Sequence, residues 1–167
     1  QLPNPLTLHE LLKNLVALAC SFFGAEIGAF FVLDQNNNSV KLEAGFNLLG
    51  INKESQKDQW IIEGIKYSYK KGKSILQDRI LEESKSNSAL FIPLRNLKEN
   101  RVLYLETSYR LDIIQELSEQ QLLFLTDNIG LQIYNLIRWH LLLEESHQQK
   151  LGQLTKSKDV TVSNMLF

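Results

Sequence analysis

Three short segments of this chain are apolar on both of their alternating faces. They are Ile27-Gly28-Ala29-Phe30-Phe31-Val32-Leu33, then Ala89-Leu90-Phe91-Ile92-Pro93-Leu94, then Val102-Leu103-Tyr104-Leu105. Successive side chains of a strand point to opposite faces, so a strand that is apolar on both needs cover on both sides. The chain must therefore enclose a sheet between two layers, and an open sheet with one wet face is excluded for these segments. Val40 to Phe46 differs: it alternates cleanly, as a strand with one exposed face does. Gln35-Asn36-Asn37-Asn38 joins it to the first strand as a polar turn, since Asn tolerates left-handed backbone. Residues 88–95 and 101–107 form a second hairpin around Asn96 to Asn100. Pro93 lacks an amide donor and marks a bulge or a locally unpaired edge.

The covering layers are legible as helices. Thr7-Leu8-His9-Glu10 has the form of a capping box, and Leu8, Leu11, Leu12, Leu15, Val16, Ala19, Phe22 and Phe23 follow at helical spacing to a stop at Gly24. A middle helix starts near Asp58, with Trp60, Ile61, Ile65 and Tyr69 toward one side. It closes at Lys70-Lys71-Gly72, cations at the C-terminal end of the dipole. Residues 47–57 are ambiguous, Ser74-Ile75-Leu76 is at most a short strand, and Gln77 to Asn87 reads as a charged loop. Ser118-Glu119-Gln120-Gln121 opens a last helix running to about Gln149, roughly 45 Å long at ~1.5 Å per residue, more than a small domain is wide. Leu122, Ile129, Leu136 and Leu143 lie seven apart, and Ile133, Ile137 and Leu141 step by four. Two apolar stripes predict two partners, the chain's own sheet and another helix.

Composition narrows the classes. A chain of 167 residues with 44% hydrophobic and 22% charged residues is long enough for one globular domain with an appendage. A net charge of −1 argues against a dedicated nucleic-acid or anionic-membrane binder. No apolar stretch is long enough to span a bilayer. The single Cys precludes an internal disulfide or a multi-thiolate metal site and points to a reducing, cytoplasmic compartment. With Gln at position 1 and no signal-peptide pattern after it, the chain reads as a fragment of a longer polypeptide.

The order of elements, with Gly28 to Asp34, Ser88-Ala89-Leu90-Phe91-Ile92-Pro93-Leu94-Arg95, Leu103-Tyr104-Leu105-Glu106 and Leu122-Leu123-Phe124-Leu125, resembles the GAF family of small-molecule-sensing domains over about residues 6–140. The resemblance implies an α+β fold. A central antiparallel sheet of five to six strands would carry the first and last helices on one face, with the middle helix and loops roofing a pocket on the other. Residues 141–159 then form a helical linker, and 160–167 begin a further region. The implied role is regulatory: ligand or dimer state passes through the last helix to an output domain outside this chain. The alternative is a ligand-free dimerisation or spacer module. An enzyme is the weakest reading, since no acid–base–nucleophile set is visible.

Individual residues sharpen this. Cys20 lies in the first helix and reads as a small core residue. Bilin-carrying relatives use a roof Cys, and no Cys follows Ala25, so covalent bilin by that route is excluded. The sulfoxide-reducing relatives need several thiols. His9, His140 and His147 lie on the terminal helices, where metal or haem ligation is not expected. Asn52-Lys53-Glu54 begins the string that cyclic-nucleotide-binding relatives carry, but the Phe and Asp-Glu that should follow are missing. The basic and aromatic residues Lys66 to Lys73 fit a solvated helix end. A pocket between the sheet and residues 58–90 would take aromatic walls from Phe31, Phe46, Trp60 and Tyr69 and polar anchors from Asp78 and Arg79. The alternative is that Trp60 and Phe31 are core and Asp78-Arg79 an exposed loop pair. The expected partners are an unidentified small molecule and a second copy, paired through Leu122, Ile129, Leu136 and Leu143, with no cofactor.

Overall fold

The computed structural model describes residues 6–48, 56–80, 86–95, 97–107 and 117–166. Its elements run α1 (Leu8–Phe23), β1 (Ile27–Asp34), β2 (Ser39–Phe46), α2 (Gln56–Lys71), β3 (Ile75–Ile80), β4 (Ser86–Leu94), β5 (Arg101–Thr107) and α3 (Glu119–Leu166). The five strands form one antiparallel sheet in the order β2-β1-β5-β4-β3. It is an α+β fold with helices on both faces, as the doubly apolar strands require.

The helix signals act as read. Thr7 Oγ1 accepts from the Glu10 amide while Glu10 reaches back to the Thr7 amide, and Gly24 closes α1 at φ 68°. Ser118 and Gln121 form the matching box at the start of α3. Gly72, also at φ 68°, closes α2.

Two elements differ from expectation. The short strand expected at Ser74 to Leu76 extends through the first four residues of the expected charged loop, giving the six-residue β3, paired with β4 from Ile75↔Phe91 to Ile80↔Ser86. β3 is an edge strand, and edges tolerate the charges that made it look like a loop. The last helix continues past Gln149 to Leu166, 48 residues in all, or ~72 Å. The ambiguous stretch 49–55 lies outside the described residues.

Two cores sit on opposite faces. On one, α1 and α3 cover Phe30, Leu90, Ile92, Leu103 and Leu105 with Leu12, Val16, Phe23, Leu122, Ile133 and Ile137. On the other, Ile61 and Ile65 of α2 cover Ala89, Phe91, Val102 and Tyr104. Where β2 joins β1 the register shifts between Phe30 and Phe31, leaving Glu43 as the extra residue of a bulge. Glu43 there receives the fork of buried Arg101, Nε to Oε2 at 2.8 Å and Nη2 to Oε1 at 3.0 Å.

Candidate functional site

The α2 face is built of rings. Trp60 meets Phe91 edge-on at 5.9 Å between centroids, Phe91 meets Tyr104 at 5.2 Å, and Tyr104 meets Phe31 edge-on at 6.2 Å. Edge-to-face geometry sets each ring's positive rim against its neighbour's negative face. The Phe91 ring lies directly under the α2 backbone: a Cβ at Gly64 would stand 2.4 Å from its Cζ. Gly64 is therefore what lets α2 settle onto the sheet. Between α2 and edge strand β3 a hollow of about 560 Å³ opens, lined by Trp60, Glu63, Gly64, Tyr67, Gln77 and Asp78.

The stack ends in a carboxylate. Tyr104 and Glu106 share the same face of β5, two residues apart. Glu106 is only 1% exposed, and its Oε2 accepts from the Tyr104 hydroxyl at 2.5 Å and its Oε1 from Asn87 Nδ2 at 2.7 Å. Buried carboxylates persist only with such donors. The network lies at the end of the sheet where β2 and β5 finish and β4 begins. On the other face, Cys20 is buried under β1, and burial pushes its thiol from 9.0 up to about 11. It is therefore a poor nucleophile at neutral pH.

No protein-family model matches the chain, and no curated protein matches it significantly. Solved structures do. The second GAF domain of DevS from Mycobacterium smegmatis aligns with a TM-score of 0.56 at 14% identity, over 85% of this chain and 99% of that one. The GAF domain of PixJ from Thermosynechococcus elongatus, in its blue-light absorbing form, aligns with a TM-score of 0.53 at 12% identity, over 85% and 91%. The GAF domain of Acinetobacter phosphoenolpyruvate-protein phosphotransferase aligns with a TM-score of 0.50 at 16% identity, over 80% and 84%. The chain has a GAF fold.

Within this GAF fold the residues picked out from the sequence separate. Phe31 and Trp60 stand in the ring stack of the α2 face. Tyr69 packs at its margin, with the Arg95 guanidinium 4.8 Å over its ring. Phe46 does not join them. It pairs with Gly28, so it lies toward the α1 side of the sheet, where it is 42% exposed. Asp78 pairs with Ser88 and accepts its hydroxyl at 2.6 Å; its register puts it on the face of Leu76, although it also borders the α2–β3 hollow. Arg79 is a β3 residue opposite Asn87, and its side chain lies outside the described residues.

The line Leu122, Ile129, Leu136 and Leu143 also divides. Leu122 is fully buried in the chain's own core and Ile129 packs against it, whereas Leu136 and Leu143 are 51% and 53% exposed. A straight α-helix drifts about 20° per heptad, which carries a seven-spaced line from the sheet out to solvent. The buried network of Tyr104, Glu106 and Asn87 is not among the residues singled out from the sequence. The signal was present: Glu106 is an acid at the inward position of a strand otherwise apolar on that face.

Proposed function

We propose that this chain is a regulatory, small-molecule-sensing domain. It reports ligand state through α3 to an output region outside the chain, and works as a pair with a second copy. The observation carrying this reading is the division of α3. From Leu122 to Leu141 the helix packs on the sheet's core, while from Leu142 to Leu166 it runs on as the same continuous helix. A change in how the sheet holds the first part must therefore reposition the second.

The second copy is supported by what the outer helix lacks. It includes Gly152 and the β-branched run Val160-Thr161-Val162, which are poor helix formers, and isolated helices are marginal in water. On its solvent side α3 also carries Leu136, Trp139 and Leu143 exposed. An apolar groove between α1 and α3, lined by Leu15, Leu18, Phe22, Ile129 and Ile133, adds further uncovered apolar surface. Covering these side chains stabilises the helix. Among the described residues no helix is long and apolar enough to cross a membrane.

One observation favours the spacer reading. The α2 face is occupied by its own rings, Phe91 tight beneath Gly64, so a ligand there has to displace side chains or sit in the outer hollow.

The chain's two Trp residues separate the readings. Trp60 reports on the α2 face and Trp139 on α3. A metabolite screen by thermal shift finds any ligand, since binding the native state alone raises Tm. The sensing account expects a hit that also shifts Trp139 emission in a Trp60→Phe protein. A library without hits supports the spacer, and a hit that leaves Trp139 unchanged contradicts transmission through α3.

A further inference from the structure

The sheet stops short at the start of β3. Ile75 pairs with Phe91, and one and two residues earlier Ser74 and Lys73 would stand opposite Ile92 and Pro93. Pro93 has no amide to donate, so the ladder ends there. The Ser74 amide turns instead to the last helix and donates to Asp127 Oδ1 at 3.1 Å. Between the end of α2, this part of β4 and α3 a hollow of about 280 Å³ is left, lined by Lys73, Ser74, Pro93, Arg95, Asp127 and Leu131 among others. Its floor is tight, since a Cβ at Gly130 would stand 2.7 Å from Ile92 Cγ2.

Its walls differ in charge. Lys73 and Arg95 stand on the sheet side and Asp127 on the helix side. Arg95 is held in place, its Nη2 donating to the carbonyls of Tyr69 and Lys70 and its plane over the Tyr69 ring. A guanidinium has five N–H donors, so further ones serve a ligand. Pro93 and Leu131 supply apolar surface. Ser74 is 5% exposed, and its hydroxyl has no hydrogen-bond partner among the described residues. A buried hydroxyl without a partner is costly, and native proteins rarely keep one without a use.

We propose that this hollow binds a small zwitterion of the α-amino-acid class. Its carboxylate pairs with Lys73 and Arg95 and takes the Ser74 hydroxyl, its ammonium pairs with Asp127, and its side chain lies on Pro93 and Leu131. Charge-assisted hydrogen bonds to both walls need both signs in one molecule. A simple anion would face Asp127, and a simple cation would face Lys73 and Arg95. The volume lies just below the ~300–1,000 Å³ typical of pockets for drug-sized ligands, which suits a small molecule better than a nucleotide or a tetrapyrrole. Because Asp127 belongs to α3 and already ties it to β3, occupancy acts directly on the helix assigned above to output. The site itself stands whether or not the α2 face takes a ligand.

The experiment is a thermal-shift series with each proteinogenic α-amino acid at roughly 10 mM, beside the matching amines and carboxylates, followed by calorimetric titration of hits. At least one amino acid should raise Tm by about 2 °C or more, with its amine and carboxylate analogues well below it. Lys73→Ala alters an exposed side chain, and Asp127→Asn keeps the acceptor for the Ser74 amide. Both variants should fold by circular dichroism and bind at least ~10-fold more weakly, with Ser74→Ala losing about 5-fold. Three results overturn the proposal: no amino acid shifts Tm; the shift survives Lys73→Ala and Asp127→Asn; or the amine or carboxylate alone binds as well.

Discussion

The two faces of the sheet are covered by helices on both sides, yet they are built from different chemistry. The α1/α3 face is mainly aliphatic, with Leu12, Val16, Leu103, Leu105, Ile133 and Ile137 interlocking around Phe23 and Phe30. The α2 face is aromatic, with ring contacts running from Trp60 to Phe31, and it ends in the buried Glu106, which accepts from Tyr104 and Asn87. A side-chain set like the first is specified by shape alone and suits a rigid platform from which α3 can project. The second depends on a few directed contacts, so it is the face more easily switched by something that competes for them.

Core truncations give the largest expected effects and break the comparison most plainly. Phe30→Ala should cost about 3–5 kcal/mol in urea denaturation. Phe91→Ala should cost as much unless Trp60 collapses into the space, so it sits at the lower end. It should also open a cavity between Trp60 and Tyr104 that takes indole or benzene, read as a rise in Tm with added ligand. Less rescue is expected for Phe30→Ala, whose aliphatic neighbours relax into the space more readily than rings do. Equal rescue of both would show that the two faces are alike.

Next in size is the carboxylate. Glu106→Ala removes the acceptor shared by Asn87 and Tyr104 and should cost about 2–4 kcal/mol, whereas Glu106→Gln keeps one oxygen acceptor and should cost roughly half of that. Urea unfolding of the two variants with Tyr104→Phe in a double-mutant cycle checks the coupling.

The aliphatic face has its own titration. The Cys20 thiol, raised by burial from 9.0 to about 11, keeps its proton in the folded chain beyond the pH at which the unfolded chain loses it. Its contribution is complete below pH 9 and is lost as pH rises through about 11, on the order of 2 kcal/mol. The difference in stability between wild type and Cys20→Ala, followed by urea denaturation from pH 8 upward, should therefore shrink across that window. A difference that stays constant would place the thiol in a more polar setting than described.

Much of this was legible in the sequence because it rests on local chemistry. Thr7 and Ser118 cap their helices through contacts three residues away, and the doubly apolar strands dictate two covering layers wherever the helices come from. What could not be read depends on register. The bulge at Glu43 and the Gly28↔Phe46 pairing send Phe46 to the α1 side, and the Asp78↔Ser88 pairing ties up a residue that looked free to meet a ligand. β3 was hidden because an edge strand need not be apolar. Seven-residue spacing in α3 shows that a stripe exists, not which of its members the chain's own sheet consumes. Glu106 was in view as part of a motif, and its partner Asn87 on β4 is what the strand pairing adds.

The smallest stability effect belongs to the outer stripe. Leu136→Glu with Leu143→Glu should change the unfolding of the isolated domain by no more than about 0.5 kcal/mol, as exposed substitutions do. The same double variant should abolish self-association in sedimentation velocity.

The central claim, that α3 is a core element in its first part and a pairing element in its second, is tested most directly by amide hydrogen exchange along α3 at low and high protein concentration. Protection of residues 119–137 should be high and independent of concentration, while protection of 142–166 should rise as concentration drives pairing. Protection of 142–166 that is the same at every concentration would contradict the account.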